Sequence, residues 1–262
     1  KDIIITDADG NKITKTVVKS QFRKKYALFL FNNLSSNSDN SWMDKGIRLA
    51  IAYDLGQDFY LTNKTGSAVD IKKEMGFTFD EYLSLGDKQK IASRTITEYF
   101  ITGNHNFVDN NYIINLEIYK TSNARLINTY EYKGEDFFSI IDEISKQIKI
   151  DMEIPTAHIE NTIDMPVKER FTNSTEALKY FTYYTNQRGF DDEFKNLKKA
   201  VEIDGTFAFA HVWLYNMCRM SNNVEGYKEH MDAALKYINK LQEGIQFAVR
   251  IDAIQGSKPD PK

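Results

Sequence analysis

The sequence predicts two parts: an α/β N-terminal domain, in which flanking helices cover a mixed sheet, and then an all-α array of repeated helical hairpins. Three observations predict it. Between Lys25 and Leu61, apolar runs of strand length alternate with an amphipathic helical pattern. Between Glu98 and Tyr132, three strand-like runs are joined by turn-rich segments, and a long helical stripe follows. Beyond residue 172 the pattern is helical and repeats itself. Strands and helices that alternate and then give way to helices alone read as an α/β layer structure with a helical appendage.

Residues 2–17, DIIITDADGNKITKTV, place β-branched residues on both sides of Asp9-Gly10-Asn11. Asp-Gly tolerates φ > 0, so the segment reads as a hairpin. Asp7-x-Asp9 also begins like a calcium loop. The third acidic position and the downstream bidentate glutamate are missing, so the turn is the better reading. Lys25–Phe31, KYALFLF, is a strand, and Asn32–Asn40 is turn-like. Ser41–Leu55 carries Trp42, Met43, Ile47, Leu49, Ala50 and Tyr53 on roughly one helical face.

Phe59–Leu61 reads as a short strand and Ala68–Met75 as a helix, whereas Phe77–Leu85 fits neither period. Asp87–Thr95 is a helix entered through Gly86-Asp87. Glu98–Phe107, Asn111–Lys120 and Ala124–Tyr132 form an antiparallel meander through Asp109-Asn110 and Thr121-Ser122-Asn123. In its middle strand Tyr112, Ile114, Leu116 and Ile118 alternate with mostly polar neighbours, as a buried face requires. Gly103, isolated within a strand, marks a bulge or a close contact. Glu135–Met152 is a long helix with Phe138, Ile141, Ile144 and Ile148 as its stripe. Residues 153–172, with Pro155 and Pro166, read as a linker.

Asn173-Ser174-Thr175-Glu176 opens the helical part with capping chemistry. Gly189–Phe209 reads GFDDEFKNLKKAVEIDGTFAF, and a second copy follows at Gly226–Ile238, GYKEHMDAALKYI. Gly189-Phe190 answers to Gly226-Tyr227, Phe194 to Met231 and Leu197 to Ala234, each 37 residues on. That spacing is close to the tetratricopeptide period of about 34. Arrays of such helix pairs bind proteins or peptides along a concave surface. The expected boundaries are 1–24 for a hairpin or linker, 25–152 for the α/β domain, 153–172 for the linker and 173–262 for tetratricopeptide-like helical repeats.

A chain of 262 residues with 42% hydrophobic and 13% aromatic content suits two ordinary cores. A net charge of -3 gives no electrostatic footprint for nucleic acid. Cys218 is the only cysteine, so there is no intrachain disulfide and no multi-cysteine metal site. No apolar run approaches the ~18–20 residues that cross a bilayer, so this region is not expected to insert in a membrane. The chain starts at Lys1 rather than methionine and stops in SKPDPK, which suggests a piece of a larger protein.

The residues hold no pattern of chemistry. His105, His158, His211 and His230 stand in no metal-ligand spacing with one another or with Cys218. There is no nucleophile elbow, phosphate-cradling glycine loop or zinc-protease motif. Asp191-Asp192 meets a helix dipole at the start of a helix. No catalytic residue, metal or cofactor is therefore expected. The candidate contacts belong to the repeats. Tyr180 and Tyr184 share a helical face with Phe181 near them, which leaves Tyr183 elsewhere. Leu214 and Met217 share a buried stripe, so at least one of Trp213 and Tyr215 faces the groove. Tyr183, Arg188, Lys195, Lys199, Trp213 and Asn216 are the candidate partner-binding residues, the polar ones chosen by position.

KYALFLFNNLSSNSDNSWMDKGIRLAIAYDL resembles the opening of the TolB amino-terminal-like domain. The carriers are Leu30-Phe31, Asn32-Asn33, Ser35 to Asp39, Trp42 and Asp44-Lys45-Gly46, then Phe100-Ile101-Thr102-Gly103, Asn115-Leu116-Glu117-Ile118 and Glu135-Asp136-Phe137-Phe138. The resemblance covers roughly residues 25–150, and the repeats complete a pairing found in that family. It implies a non-enzymatic sensory or protein-interaction region of a bacterial signalling protein, with a membrane-spanning parent. The implied setting is periplasmic or otherwise extracytoplasmic, with the cytoplasm as the alternative. The implied partner is a protein or peptide, a second copy of the chain among them. A periplasmic scaffold or binding protein is the alternative, and an enzyme with a cleft between the domains is the weaker one. A buried carboxylate with a raised pKa would favour the enzyme.

Overall fold

A computed structural model describes residues 2–6, 12–16, 22–35, 37–78, 80–162, 164–184 and 189–256. The chain divides into two compact units, residues 1–167 and 168–262. The first holds a mixed α/β arrangement and the second is helical. The expected turn at Asp9-Gly10-Asn11, with Asp7, lies outside the described residues.

In the first unit β1 (Asp2–Thr6) and β2 (Lys12–Thr16) pair antiparallel, with Ile5 opposite Ile13, as a separate two-stranded sheet. The main sheet has five strands in the order β4-β3-β5-β6-β7. They are β3 (Lys24–Asn33), β4 (Leu61–Asn63), β5 (Tyr99–Val108), β6 (Asn111–Lys120) and β7 (Arg125–Gly134). Strand β3 runs parallel to both β4 and β5, and β5, β6 and β7 form an antiparallel meander. The β5–β6 joint is tight because Asp109 and Asn110 both take positive φ, 51° and 61°, the backbone a two-residue hairpin turn needs.

The helices follow from the crossovers. The chain leaves β3 through α1 (Met43–Leu55) to reach β4 on one side. It then returns past β3 through α2 (Thr65–Glu74) and α3 (Leu85–Arg94) to reach β5. Right-handed crossovers in opposite directions put α1 on one face and α2 and α3 on the other. A long helix, α4 (Phe137–Asp151), joins α1 over the face that carries Ile101, Ile114, Leu116 and Ile118, all fully buried. The opposite face buries Ala27, Phe29 and Phe100 with Ala68, Leu83, Ile91 and Ala92.

Caps fix the helix starts. Ser84 accepts from the Asp87 N–H and its hydroxyl donates back to the Asp87 carboxylate at 2.6 Å, so α3 begins earlier than its expected entry at Gly86-Asp87. Asp136 accepts from the Phe138 and Ser139 N–H groups at the start of α4. The short strand β4 lies two residues later than expected, beyond a turn in which the Leu61 N–H donates to the Asp58 carbonyl.

Gly103 is a close contact. A Cβ placed there would lie 1.9 Å from the Asn115 carbonyl oxygen and 2.7 Å from the Phe31 ring. The neighbouring strand β3 shifts register between Leu28 and Phe31 at this level.

The segment read as a linker is packed for most of its length. It contains α5 (Thr156–Asn161) and α6 (Val167–Arg170). The Gln57 side chain donates to the Met165 carbonyl at 2.9 Å and accepts from the Met165 N–H at 3.1 Å, and the Val167 N–H donates to Asp142 at 2.9 Å. Pro155 and Pro166 thus stand directly before α5 and α6, and the boundary between the two units falls within the segment, after Val167.

The second unit contains α7 (Thr175–Tyr184), α8 (Phe190–Ile203), α9 (Ala208–Met220), α10 (Val224–Lys236) and α11 (Glu243–Gly256). Ser174 accepts from the Ala177 N–H at the head of α7. Helix α7 packs along α8, and α9 along α10. Phe171, Phe181 and Phe207 are buried and pack edge-on or tilted with Phe209. A second cluster joins Ala208, Val212 and Tyr215 to Met231, Ala234, Leu241 and Val249.

The two glycines that lie 37 residues apart, Gly189 and Gly226, do different work. Gly189 takes φ +113° before α8, with open space where a Cβ would go. Gly226 lies in the first turn of α10, where a Cβ would meet the Asn223 side-chain amide at 2.6 Å and Cys218 Sγ at 2.8 Å.

Candidate functional site

Helix α8 builds a cleft on the second unit. Asp191, Asp192 and Glu193 occupy its first turn, where they complement the helix dipole. Leu197 and Ala200 are its buried stripe, and Lys195, Lys198 and Lys199 point to solvent. With Tyr180 of α7, the residues Phe194, Lys195, Lys198, Lys199 and Glu202 line a cleft of about 490 Å³. Phe190 and Phe194 stack with centroids 6.2 Å apart. Lys198 Nζ stands 5.9 Å from the centre of the Phe194 ring. The arrangement offers an aromatic floor with ammonium groups at its rim, suited to an extended or helical segment that carries apolar and acidic side chains.

The structure brings Lys195 and Lys199 together at this cleft. Tyr183 is half-buried and packs edge-on to Tyr180 at 6.1 Å. Arg188 and the Tyr184 side chain lie outside the described residues. Trp213 and Asn216 sit on α9 and do not line the cleft. Trp213 is 38% exposed and packs against Phe209 at 6.2 Å, whereas Tyr215 is buried. Asn216 is committed within its own helix: its amide donates to the Val212 carbonyl at 2.8 Å and accepts from Arg219 at 2.7 Å. Position alone had put it in a groove; its short polar side chain finds local partners first. Phe190, Phe194 and Lys198 were missed. Their i, i+4, i+8 spacing places them on one helical face and was the available signal.

The first unit contains polar clusters that the sequence did not reveal. His158 Nε2 is 3.0 Å from the buried carboxylate of Asp58, and Thr162 Oγ1 is 3.2 Å from His158 Nδ1. Hydroxyl, imidazole and carboxylate in a row have the outline of a nucleophilic triad. Here the threonine lies one turn on from the histidine in α5 and is also 3.4 Å from Nε2, so its hydroxyl straddles the ring edge. Lys149 stands 3.7 Å from Asp58 and also bonds Asp164, which makes the group an ion-pair cluster at the end of α4.

Beside it, burial pushes the Asp54 carboxyl up to about 6, and the Gln57 amide donates to it at 2.8 Å. This is the raised buried carboxylate that an enzyme would use, but it lines neither the cleft on α8 nor the pocket beside β3. At the carboxyl end of the sheet, His105 Nε2 lies 2.7 Å from Asp44, and the Tyr82 hydroxyl donates to the same carboxylate. Burial and this carboxylate push the Tyr82 phenol up to about 12. Among the described residues no three His, Cys, Asp or Glu side chains converge as a metal site, and no helix is long and apolar enough to cross a membrane.

No family model matches the chain, and no curated protein matches it. Among solved structures it is similar to the LpoB C-terminal domain from Salmonella enterica, at 14% identity and a TM-score of 0.36, over 43% of this chain and 83% of that one. The same domain from Escherichia coli gives 13% identity and 0.36 over the same shares. The PelC dodecamer from Paraburkholderia phytofirmans gives 10% identity and 0.30, over 58% of this chain and 98% of that one. At these scores the likeness carries no inference about function.

Proposed function

We propose that this chain is a non-enzymatic sensory or protein-interaction region of a bacterial signalling protein, and that its helical unit holds a protein or peptide partner. The observation that supports this is the cleft on α8, where the half-buried Phe194 and Tyr180 stand beside the exposed Lys195, Lys198 and Lys199. A part-exposed aromatic surface rimmed by charge is the anatomy of a binding patch. The resemblance of residues 25–150 to the TolB amino-terminal-like domain supports the signalling context and the extracytoplasmic setting. A sensor must also bind its ligand unequally in two states of the whole protein.

The test is a selection of displayed peptides on the full chain, with a Phe194→Ala/Lys195→Glu variant as the counter-screen. Enriched acidic-apolar peptides should lose about tenfold or more in affinity on the variant, as truncating an anchoring aromatic does. Peptides that bind both proteins equally would remove the cleft from this reading.

A further inference from the structure

Helix α11 of the second unit is apolar on two sides. Val249 is fully buried and Ile245 partly buried in the cluster with Tyr215, Met231 and Ala234, which sets that side against its own unit. The opposite side carries Gly244, Phe247, Ala248 and Ile251, and all four are exposed. Phe247 is 68% exposed and Ile251 36%. Their i, i+3, i+4, i+7 spacing makes one stripe along the helix. A helix with apolar residues on both sides is normally covered on both. A helix that ends a stacked array in water normally turns a polar face outward.

The charges beside this stripe select its occupant. Glu243 and Arg250 stand on one flank, two turns apart, and both are exposed. Two copies of α11 laid antiparallel, about a twofold axis beside Phe247, bring Glu243 of each helix level with Arg250 of the other. The same register sets Gly244 of one helix beside Ala248 of the other and lets the two Phe247 rings meet at the axis. Among the described residues nothing lies within 4 Å of where a Gly244 Cβ would stand, which leaves room for the ring of a neighbouring copy. Laid parallel, the helices would set Glu243 against Glu243 and Arg250 against Arg250, and like charges so placed repel. A patch that serves both partners in this way closes at two copies.

We propose that α11 is a dimerisation helix, whose outer stripe packs antiparallel against the same stripe of a second copy of this chain, with Phe247 at the centre and Glu243 paired to Arg250 at each end. Burial of Phe247 and Ile251 supplies the attraction, and the paired charges fix the direction. Two helices this short bury less than the roughly 1,600 Å² of a standard interface, so the dimer is weak, with a Kd of roughly 10–100 μM. The stripe shares no residue with the cleft on α8, so the two readings stand or fall apart. A dimer also doubles the clefts that one partner can engage, which raises its avidity.

The test is sedimentation velocity on the full chain from about 1 μM to about 500 μM, a range that brackets this Kd. The expected result is a monomer that converts to a dimer and grows no further. Phe247→Glu, at an exposed position, should keep the circular dichroism spectrum and weaken the dimer about a hundredfold or more. Ile251→Asp gives the same reading should Phe247→Glu fail to fold. Glu243→Arg and Arg250→Glu should each weaken the dimer about tenfold, and the two together in one chain should restore it, because each pair is then reversed and not lost. Phe194→Ala/Lys195→Glu, in the cleft on α8, should leave the dimer unchanged. A chain that stays monomeric throughout overturns the proposal and leaves the stripe to a different partner. An assembly that grows past two copies, a dimer indifferent to Phe247→Glu, or a charge exchange that restores nothing overturns it as well.

Discussion

His211 on α9 and His230 on α10 face each other with their Nδ1 atoms 3.2 Å apart. At that distance one nitrogen must carry the hydrogen and the other the lone pair, so the pair is stable only while at least one ring is neutral. Burial, with His211 as the next cause, brings His230 down to about 4, and burial also lowers His211. The unfolded chain, with histidines near 6.5, takes up protons that the folded chain refuses. The contribution of the neutral pair is complete above about pH 6.5 and is lost as pH falls toward about 4. Melting followed by circular dichroism should show this decline, and His230→Gln should flatten it. An unchanged profile in the variant would assign the acid loss to other groups.

Asp54 acts in the opposite direction. Its carboxyl is raised to about 6 by burial, so between the ordinary carboxylate pKa and 6 the folded chain holds a proton that the unfolded chain releases. That contribution is complete at low pH and is lost as pH rises through about 6. Asp54→Asn keeps an acceptor for the Gln57 amide and removes the charge. It should raise the melting temperature at pH 7.5 and leave it nearly unchanged at pH 3.5. A variant destabilised at both values would show that the carboxylate has a role the asparagine cannot fill.

Gly103→Ala should be among the most damaging single changes in the sheet. The added methyl would run into the Asn115 carbonyl, which is backbone and cannot swing aside. A loss of about 2–4 kcal/mol in denaturant unfolding, or failure to accumulate folded protein, is expected. A loss below about 0.5 kcal/mol would mean that β5 and β6 separate more easily than their register implies.

The glycines at 189 and 226 should separate under double substitution. Gly226→Ala meets the Asn223 amide at 2.6 Å and Cys218 Sγ at 2.8 Å, so Cys218→Ala in the same chain should restore only the part of the loss that the sulfur causes. Gly189→Ala is strained by its own backbone angle and costs about 1–2 kcal/mol, which Cys218→Ala will not relieve. Equal recovery in both would contradict the distinct roles assigned to them.

The meander was legible because its signals are local. Asp109-Asn110 sits between alternating runs, and both residues take the positive φ that such a turn demands. Ile114, Leu116 and Ile118 show the period of two and are fully buried. The helical pairs were legible through their stripes. Residues 153–167 were legible only in part because proline announces a break in hydrogen bonding but not whether the broken pieces pack. Nothing in the local pattern says that Gln57 reaches Met165, 108 residues away. The burial of three cations beside β3 was hidden for the same reason. Arg48, Lys72 and Lys88 each look like solvated lysines or arginines on their own helices, and only the crossing of the chain at β3 makes them neighbours. The aromatic face of α8 needed no such long-range knowledge. Its spacing was present, but the choice of candidates favoured position in the repeat over the side chains themselves.

Strand β7 closes the sheet with ten residues and, among the described residues, has a paired neighbour on one side only. Such a border is a template on which another chain can grow, and natural proteins blunt it with charge. Arg125, Glu131 and Lys133 are spread along it. The colloidal behaviour of the molecule at high concentration therefore depends on a few ordinary surface charges. Replacing them with valine would leave the fold of one molecule almost as it is and turn a dispersed solution toward fibres.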